Sequence, residues 1–442
     1  MPLPPGCTQP MAVQTARWMA RPTTFLRECH DRFGDDFSVN MAIFGKAVFV
    51  SDPENIKAVF TASPEALGPG TGNAMLMPLL GRHSLILLDR QPHRRERRLL
   101  TPPFHGERMR AYAQVIHEST QTTCAAWPLG QAMNLTPELQ NISLDVILSA
   151  VFGVADLGRR AAARRPVVAL LEGLNPLTLY VPFLQQSFGP WAKTMAERRA
   201  VHALVDEEIR DRRERGLDGR SDILSLMMAA RYEDGAEMSD EALRDEMMTM
   251  LIAGHETSTT SLSWAVWELM DNPDAAERLT AELDALGADA GPEALERLPY
   301  LDAICRETLR LHPVLPLVSR ITRAELPLRG FTVPANVGVF PCIWLAHRRE
   351  EVFPEPERFR PERFLERTYS PFEWLPFGGG ARRCIGMAFA LYEMKLVLGA
   401  LFRRFHFKKA DDKTPQTRRK HITIAPSGGV RAVLAARGGP HV

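Results

Sequence analysis

Ten residues near the C-terminus, Phe377-Gly378-Gly379-Gly380-Ala381-Arg382-Arg383-Cys384-Ile385-Gly386, bring one cysteine out of a glycine-rich loop. The run that follows, Ile385 to Phe402, lacks proline and repeats apolar residues at three- and four-residue spacing, which predicts a helix with Cys384 at its N-terminus. A helix N-terminus favours an anion, and Arg382 and Arg383 push the thiol the same way. The expected species is a thiolate, the form that ligates metals. Three glycines in a row leave room for a large flat ligand against the backbone and free N–H groups to bond the sulfur. A phosphate loop would need Lys-Ser or Lys-Thr after its last glycine, and a dinucleotide loop a small residue where Arg383 stands. A zinc site would need a partner close by, whereas the nearest cysteine, Cys342, lies far upstream. A purely structural cysteine stays open on these residues alone.

Three more constellations stand upstream. In Gln91 to Leu100, His93 and Arg97 are four apart, so a helix there points both at one anion. Within Ala253-Gly254-His255-Glu256-Thr257-Ser258 a glycine interrupts a helical pattern, which costs about 1 kcal/mol against alanine and asks for a packing or ligand reason. His255-Glu256 does not make a zinc-protease pair, because Thr259 stands where the second histidine belongs. Glu307 and Arg310, three apart, read as a helix ion pair, and Arg363 in Phe359-Arg360-Pro361-Glu362-Arg363-Phe364 is a further candidate partner.

The elements that must position these residues are mostly helical. Ser239 to Met270 is the longest pattern, with Ser239 as cap, Asp240 and Glu241 in the first turn and Asn272-Pro273 beyond its end. Such a helix spans roughly 45 Å, enough to cross a domain. Helices are also expected at 23–33, 52–60, 91–100, 106–126, 136–153, through much of 161–230, and at 297–311. A hairpin is expected over 37–50, turning near Gly45-Lys46, with short strands at 320–342, 423–424 and 430–434. Residues 63–88 read as an apolar loop, a candidate ligand lid. The chain of 442 residues can bury a large core, and its formal charge of +1 speaks against a nucleic-acid partner. Six scattered cysteines without pair spacing suggest a reducing compartment, and no apolar run near the start has the length of an anchor. A cytoplasmic, monomeric protein is the expectation.

The spacing Phe-x-x-Gly-x-Arg-x-Cys-x-Gly, filled by Phe377, Gly380, Arg382, Cys384 and Gly386, resembles the haem-thiolate loop of the cytochrome P450 superfamily. The other motifs are similar to those of its soluble bacterial members, in the expected order: His-x-x-x-Arg at His93, Gly-x-Glu-Thr at Gly254, and Glu-x-x-Arg at Glu307. The resemblance implies a single mainly α domain over 1–442 with small sheets, a β-rich lobe at roughly 37–60 and 318–343, and the long helix crossing the cofactor. It implies haem b with Cys384 as axial thiolate, and Phe377, Gly378, Gly386 and Ala253 against the macrocycle. His93, Arg97, Arg320 and Arg382 would hold its propionates. Glu256 and Thr257 would manage protons, and Glu307, Arg310 and Arg363 would form a buried network behind the loop. The implied activity is hydroxylation or epoxidation of a lipophilic molecule such as a fatty acid or terpenoid, held against Ala253, Thr257, Val314, Leu317 and Val318. Apolar stretches at 174–184 and 313–318 supply that lipophilic lining, and Pro102 to Met109 leans the same way. Electrons would come from a ferredoxin and its reductase, docking where Arg94, Arg98 and Arg383 are exposed. A peroxide-driven peroxygenase or a non-oxygenase haem protein is the alternative, and the intact Glu256-Thr257 pair speaks against the peroxygenase.

Overall fold

The computed structural model describes residues 2–438 apart from 43–44, 105–107, 155, 176–177, 180–181 and 288–289. The expected long helix forms as Asp240–Asp271, with the Ser239 side chain accepting from the Ala242 N–H, as its sequence signature requires. It stops where Pro273 starts a new helix. Against this axis pack Leu135–Val146, Pro299–Leu311 and Met387–Arg404. Most of the axis is buried on every side, including the polar Asp245, Glu246, His255, Glu256 and Glu268.

Gly254 has a packing reason of its own. A Cβ there would stand 3.3 Å from Cδ1 of Ile147. Ile147 opens Ile147–Val151, where the preceding helix widens into π-helical turns, a form found mostly at functional sites.

One five-stranded sheet has the order Asp36–Met41, Gly45–Val50, Gly338–Pro341, Arg320–Thr322, Leu67–Gly68, with the N-terminal helices packed on its first strands. The first two strands pair antiparallel from Asp36↔Val50 to Met41↔Gly45. Gly45 and Lys46 are therefore already paired in the second strand. The second and third strands run parallel, which joins the N-terminal hairpin to a segment almost three hundred residues later. Arg431–Ala436 lies between Ala132–Asn134 and Phe405–Lys409 in a second sheet, and Thr417–Lys420 pairs with Thr423–Pro426.

The apolar 63–88 stretch is more regular than expected. It holds a two-residue strand and short helical turns at Pro69–Gly72, Ala74–Leu76 and Met77–Leu80, two of them opened by proline. The segment folds tightly on itself, since a Cβ on Gly70 would stand 2.2 Å from the Leu87 carbonyl oxygen. Parts of the 174–184 and 102–109 stretches lie outside the described residues. Among the described residues no helix is long and apolar enough to cross a membrane.

Candidate active site

The cysteine loop is held by its own backbone. The Cys384 N–H donates to the Phe377 carbonyl at 2.9 Å, and Gly378 donates to Leu375 at 2.8 Å. Gly378 and Gly380 have φ of 66° and 65°, the left-handed region that only glycine enters freely. Two expectations need correction here. The following helix begins at Met387, so Cys384 precedes it by a short turn, with Gly386 as cap. Gly379 and Gly380 make room for protein rather than ligand, since a Cβ on either would collide with Phe60 of the helix Pro53–Thr61.

The open positions are Gly378 and Gly386. A Cβ at Gly386 would meet nothing within 4 Å, and one at Gly378 only Val318 Cγ1 at 3.9 Å. Cys384 lies between them in sequence and is exposed. Burial pushes its thiol pKa up, against the Gly386 N–H, Arg97 and Arg383, which pull it down. The accessible sulfur and the open glycines on either side leave room for a ligand at Cys384. In the metal-free chain burial outweighs the loop's cations, so the thiolate belongs to the metal-bound sulfur. Deprotonation then has to come from a metal, which deprotonates a coordinating thiol outright.

The long helix is open along one short stripe. Met250, Ala253, Gly254 and Thr257 retain accessible surface while Leu251, His255, Glu256 and Ser258 are buried. The spacing is one helical face. Thr257 is the hydroxyl on that stripe, and its Oγ1 donates back to the Ala253 carbonyl at 2.6 Å. Glu256 points elsewhere, with Oε1 3.0 Å from Nδ1 of His421. His421 sits in the turn between the Thr417 and Thr423 strands at φ 51°, and nothing local in its sequence marked it as a partner. His255 is buried with Nε2 unpartnered, and burial pushes its pKa down to about 4, so it is neutral.

Cations gather at one edge. His93, Arg320 and Arg382 line a pocket with Phe60, Asp89 and Gly379. Arg320 is 7% exposed, and Nη1 donates to the Ser319 carbonyl at 2.8 Å. Burial, then neighbouring Arg382, lowers its pKa to about 10, which still leaves it charged at neutral pH. A guanidinium that is buried beside other cations fits an incoming anion. His93 is pushed down to about 3 by burial, with Arg382 and Arg97 adding to it, so the imidazole is a neutral hydrogen-bonding group. Arg97 reaches the Arg383 carbonyl at 2.7 Å, which ties its helix to the cysteine loop. Arg382 is already engaged by Asp89 at 2.7 Å and the Leu85 carbonyl at 3.0 Å. Asp89 also accepts from Arg323 and from the Gly70 N–H, and sequence gave no hint of its place. Of the cations expected to greet an electron donor, Arg98 pairs with Glu233, while Arg94 is exposed.

Glu307 lies at the centre of a buried ionic network. Its Oε1 accepts from Arg310 Nη2 at 2.9 Å, Arg363 Nε at 3.0 Å and the Arg360 N–H at 2.8 Å, and its Oε2 from Arg310 Nε at 2.7 Å. His347, absent from the sequence reading, couples this network to the loop. Its Nε2 accepts from the Leu375 N–H at 2.8 Å, which leaves Nδ1–H to donate to the Arg310 carbonyl at 3.1 Å.

The apolar candidates separate. Val318 lies by Gly378, as above; Val314 is buried, its carbonyl taken by the Ile424 N–H; Leu317 packs into the core of the N-terminal hairpin. The sequence reading also missed Glu393, fully enclosed on the C-terminal helix, whose Oε2 accepts from Ser258 Oγ at 2.6 Å. Burial raises its pKa to about 7 from a usual 4.5. Between those values the unfolded chain has released the proton and the folded chain still holds it, so stability falls as pH rises through this window. We predict that Glu393→Gln flattens the thermal-unfolding profile between those values and raises the melting temperature above pH 7. A profile as steep as the parent's would remove Glu393 as its source.

The parts fit a flat, metal-bearing, dianionic group: a reachable thiol between two open glycines, an accessible helix stripe, and a buried cation at the rim. Comparison with known proteins agrees. The family model described as Cytochrome P450 matches residues 4–430. Cytochrome P450 135B1 of Mycobacterium tuberculosis is 38% identical over 99% of this chain and 92% of its own length. Cytochrome P450 138 of the same organism is 33% identical over 98% of this chain and 97% of its own length. Among solved structures, retinoic acid-bound cyanobacterial CYP120A1 superposes with a TM-score of 0.86 at 25% identity, covering 99% of this chain and 100% of that one.

Proposed function

This chain belongs to the cytochrome P450 family and is a haem-thiolate monooxygenase of that kind, and from that premise we propose that it oxidises a lipophilic small molecule held over Cys384. The observation that carries this reading is the accessible cysteine flanked by two glycines with open space beside them. Bound there, the haem supplies oxygen activation, with a thiolate whose electron donation favours O–O cleavage.

The chain's own residues do the rest. Cys384 supplies the sulfur, and the Gly386 N–H bonds it and tunes its basicity. Arg320, His93 and Arg97 bind and orient the carboxylates of the group, with Arg382 shared between them and Asp89. Ala253 keeps side-chain bulk off the helix stripe, so substrate can approach. Val318 contributes an apolar wall that excludes water. Thr257 holds a proton at Oγ1, and Glu256, anchored by His421, is the nearby carboxylate that can resupply it. Thr257→Ala should therefore lower product formed per electron consumed several-fold while the haem spectrum stays unchanged; unaltered coupling would remove Thr257 from the proton path.

Electrons come from a separate ferredoxin-type donor meeting Arg94 and Arg383. Charge reversal at both should slow reduction at low salt and not at high salt, and an unchanged rate at low salt would reject this docking face. The lipophilic substrate class is supported by the apolar wall and by the retinoic acid bound to the cyanobacterial structure. A panel of fatty acids, terpenoids and retinoids, titrated against the ferric protein, tests it: displacement of distal water by a lipophile shifts the Soret band. Shifts from polar compounds alone would reject the class.

A further inference from the structure

The N-terminal strap and the second helix bring two thiols together outside the cysteine loop and the long-helix stripe. Sγ of Cys7 lies 3.2 Å from Sγ of Cys29 across a loop with a sequence separation of 22. A disulfide needs about 2.05 Å, so closing the pair asks for a shift of about 1 Å. Both sulfurs are held from independent directions. The Cys7 N–H donates to the Ser38 carbonyl at 2.9 Å, and its own carbonyl accepts from Gln14. Gly6 presses the strap onto the edge of the five-stranded sheet so closely that a Cβ would stand 2.0 Å from the Ser38 oxygen. Cys29 is fixed within the helix Pro22–Phe33 and is 3% exposed. Among the described residues no third metal-binding side chain completes a site at this pair. Sequence spacing alone offered no such partnership.

We propose that Cys7 and Cys29 form a reversible disulfide that staples the N-terminal strap to the second helix, a redox-dependent modification separate from the haem chemistry. The two thiols differ in a way that sets the order of events. The hydrogen bond from Cys29 draws the Cys7 thiol down to about 7, burial opposes it, and Arg17 and Arg32 add to the lowering. Cys7 is also the more accessible of the two. With glutathione disulfide as oxidant, the Cys7 thiolate attacks one sulfur and releases one glutathione thiolate, leaving a mixed disulfide. The Cys29 thiol then loses its proton to solvent and attacks the Cys7 sulfur, releasing the second glutathione. Two protein thiols are oxidised and one glutathione disulfide is reduced to two thiols.

The test equilibrates the holoprotein in glutathione buffers from fully reduced to fully oxidised, quenches in acid, unfolds, alkylates and maps peptides by mass. The expected result is a Cys7–Cys29 linked peptide two hydrogens lighter than its parts, leaving four of the chain's six cysteines for alkylation. The oxidised protein should melt several degrees above the reduced one, a gain absent from Cys7→Ser and Cys29→Ser. Cys29→Ser should retain glutathione on Cys7. Full alkylation of both cysteines at the oxidising end, or glutathione stable on Cys7 of the unsubstituted protein, would overturn the proposal.

Discussion

Glu307→Gln is expected to destabilise the protein by about 3–5 kcal/mol, the range for breaking a buried ion pair from one side. Glutamine keeps nearly the same volume, so the loss isolates charge from packing. Arg310 and Arg363 are 0% and 1% exposed, and both address the same carboxylate, so one substitution leaves two buried cations short of their counter-charge. Their remaining bonds to the His347, Pro356 and Pro354 carbonyls soften the loss without neutralising charge. Because His347 passes the network's position to Leu375, just ahead of the cysteine loop, haem retention should weaken along with stability. Equilibrium urea unfolding reads the effect as a lower midpoint at unchanged slope. A change under about 1 kcal/mol, typical of an ordinary point mutation, would mean that the network is not an energetic keystone.

Cys384→Ser is expected to reduce substrate oxidation to background while leaving the fold intact. The side chain is accessible, and serine is smaller than cysteine, so no overpacking or orphaned core contact follows. What disappears is the soft sulfur that a metal deprotonates; a serine hydroxyl neither deprotonates near neutral pH nor donates comparable electron density. Turnover measured with an electron donor, beside circular dichroism, separates the two effects. Retained turnover at the parent's rate would remove Cys384 from its assigned role.

How much of this was legible beforehand follows a physical line. Ser239, Asp240 and Pro273 delimited the long helix because caps and breakers act within a few residues. The Glu307–Arg310 pair was readable because three residues separate it on one helix. Asp89, His347, His421 and Glu393 were not, because each meets a partner brought in from elsewhere: His421 reaches Glu256 across 165 positions and Glu393 reaches Ser258 across 135. No periodicity encodes such meetings. The glycine run misled in a different way: it signals close approach, yet not by what, and Gly379 and Gly380 turned out to serve Phe60. The arginines beside the thiol are visible in sequence, while the burial that opposes them in the metal-free chain is not.

The central claim is that Cys384 is the sulfur ligand of a haem held under the Met250–Thr257 stripe. It is tested most directly by the carbon monoxide difference spectrum of the reduced protein, with and without Cys384→Ser. The unsubstituted protein should show the red-shifted Soret band of thiolate ligation, and the serine variant should lose it. A red-shifted band that survives the substitution, or a haem-loaded parent that never shows it, would contradict the account.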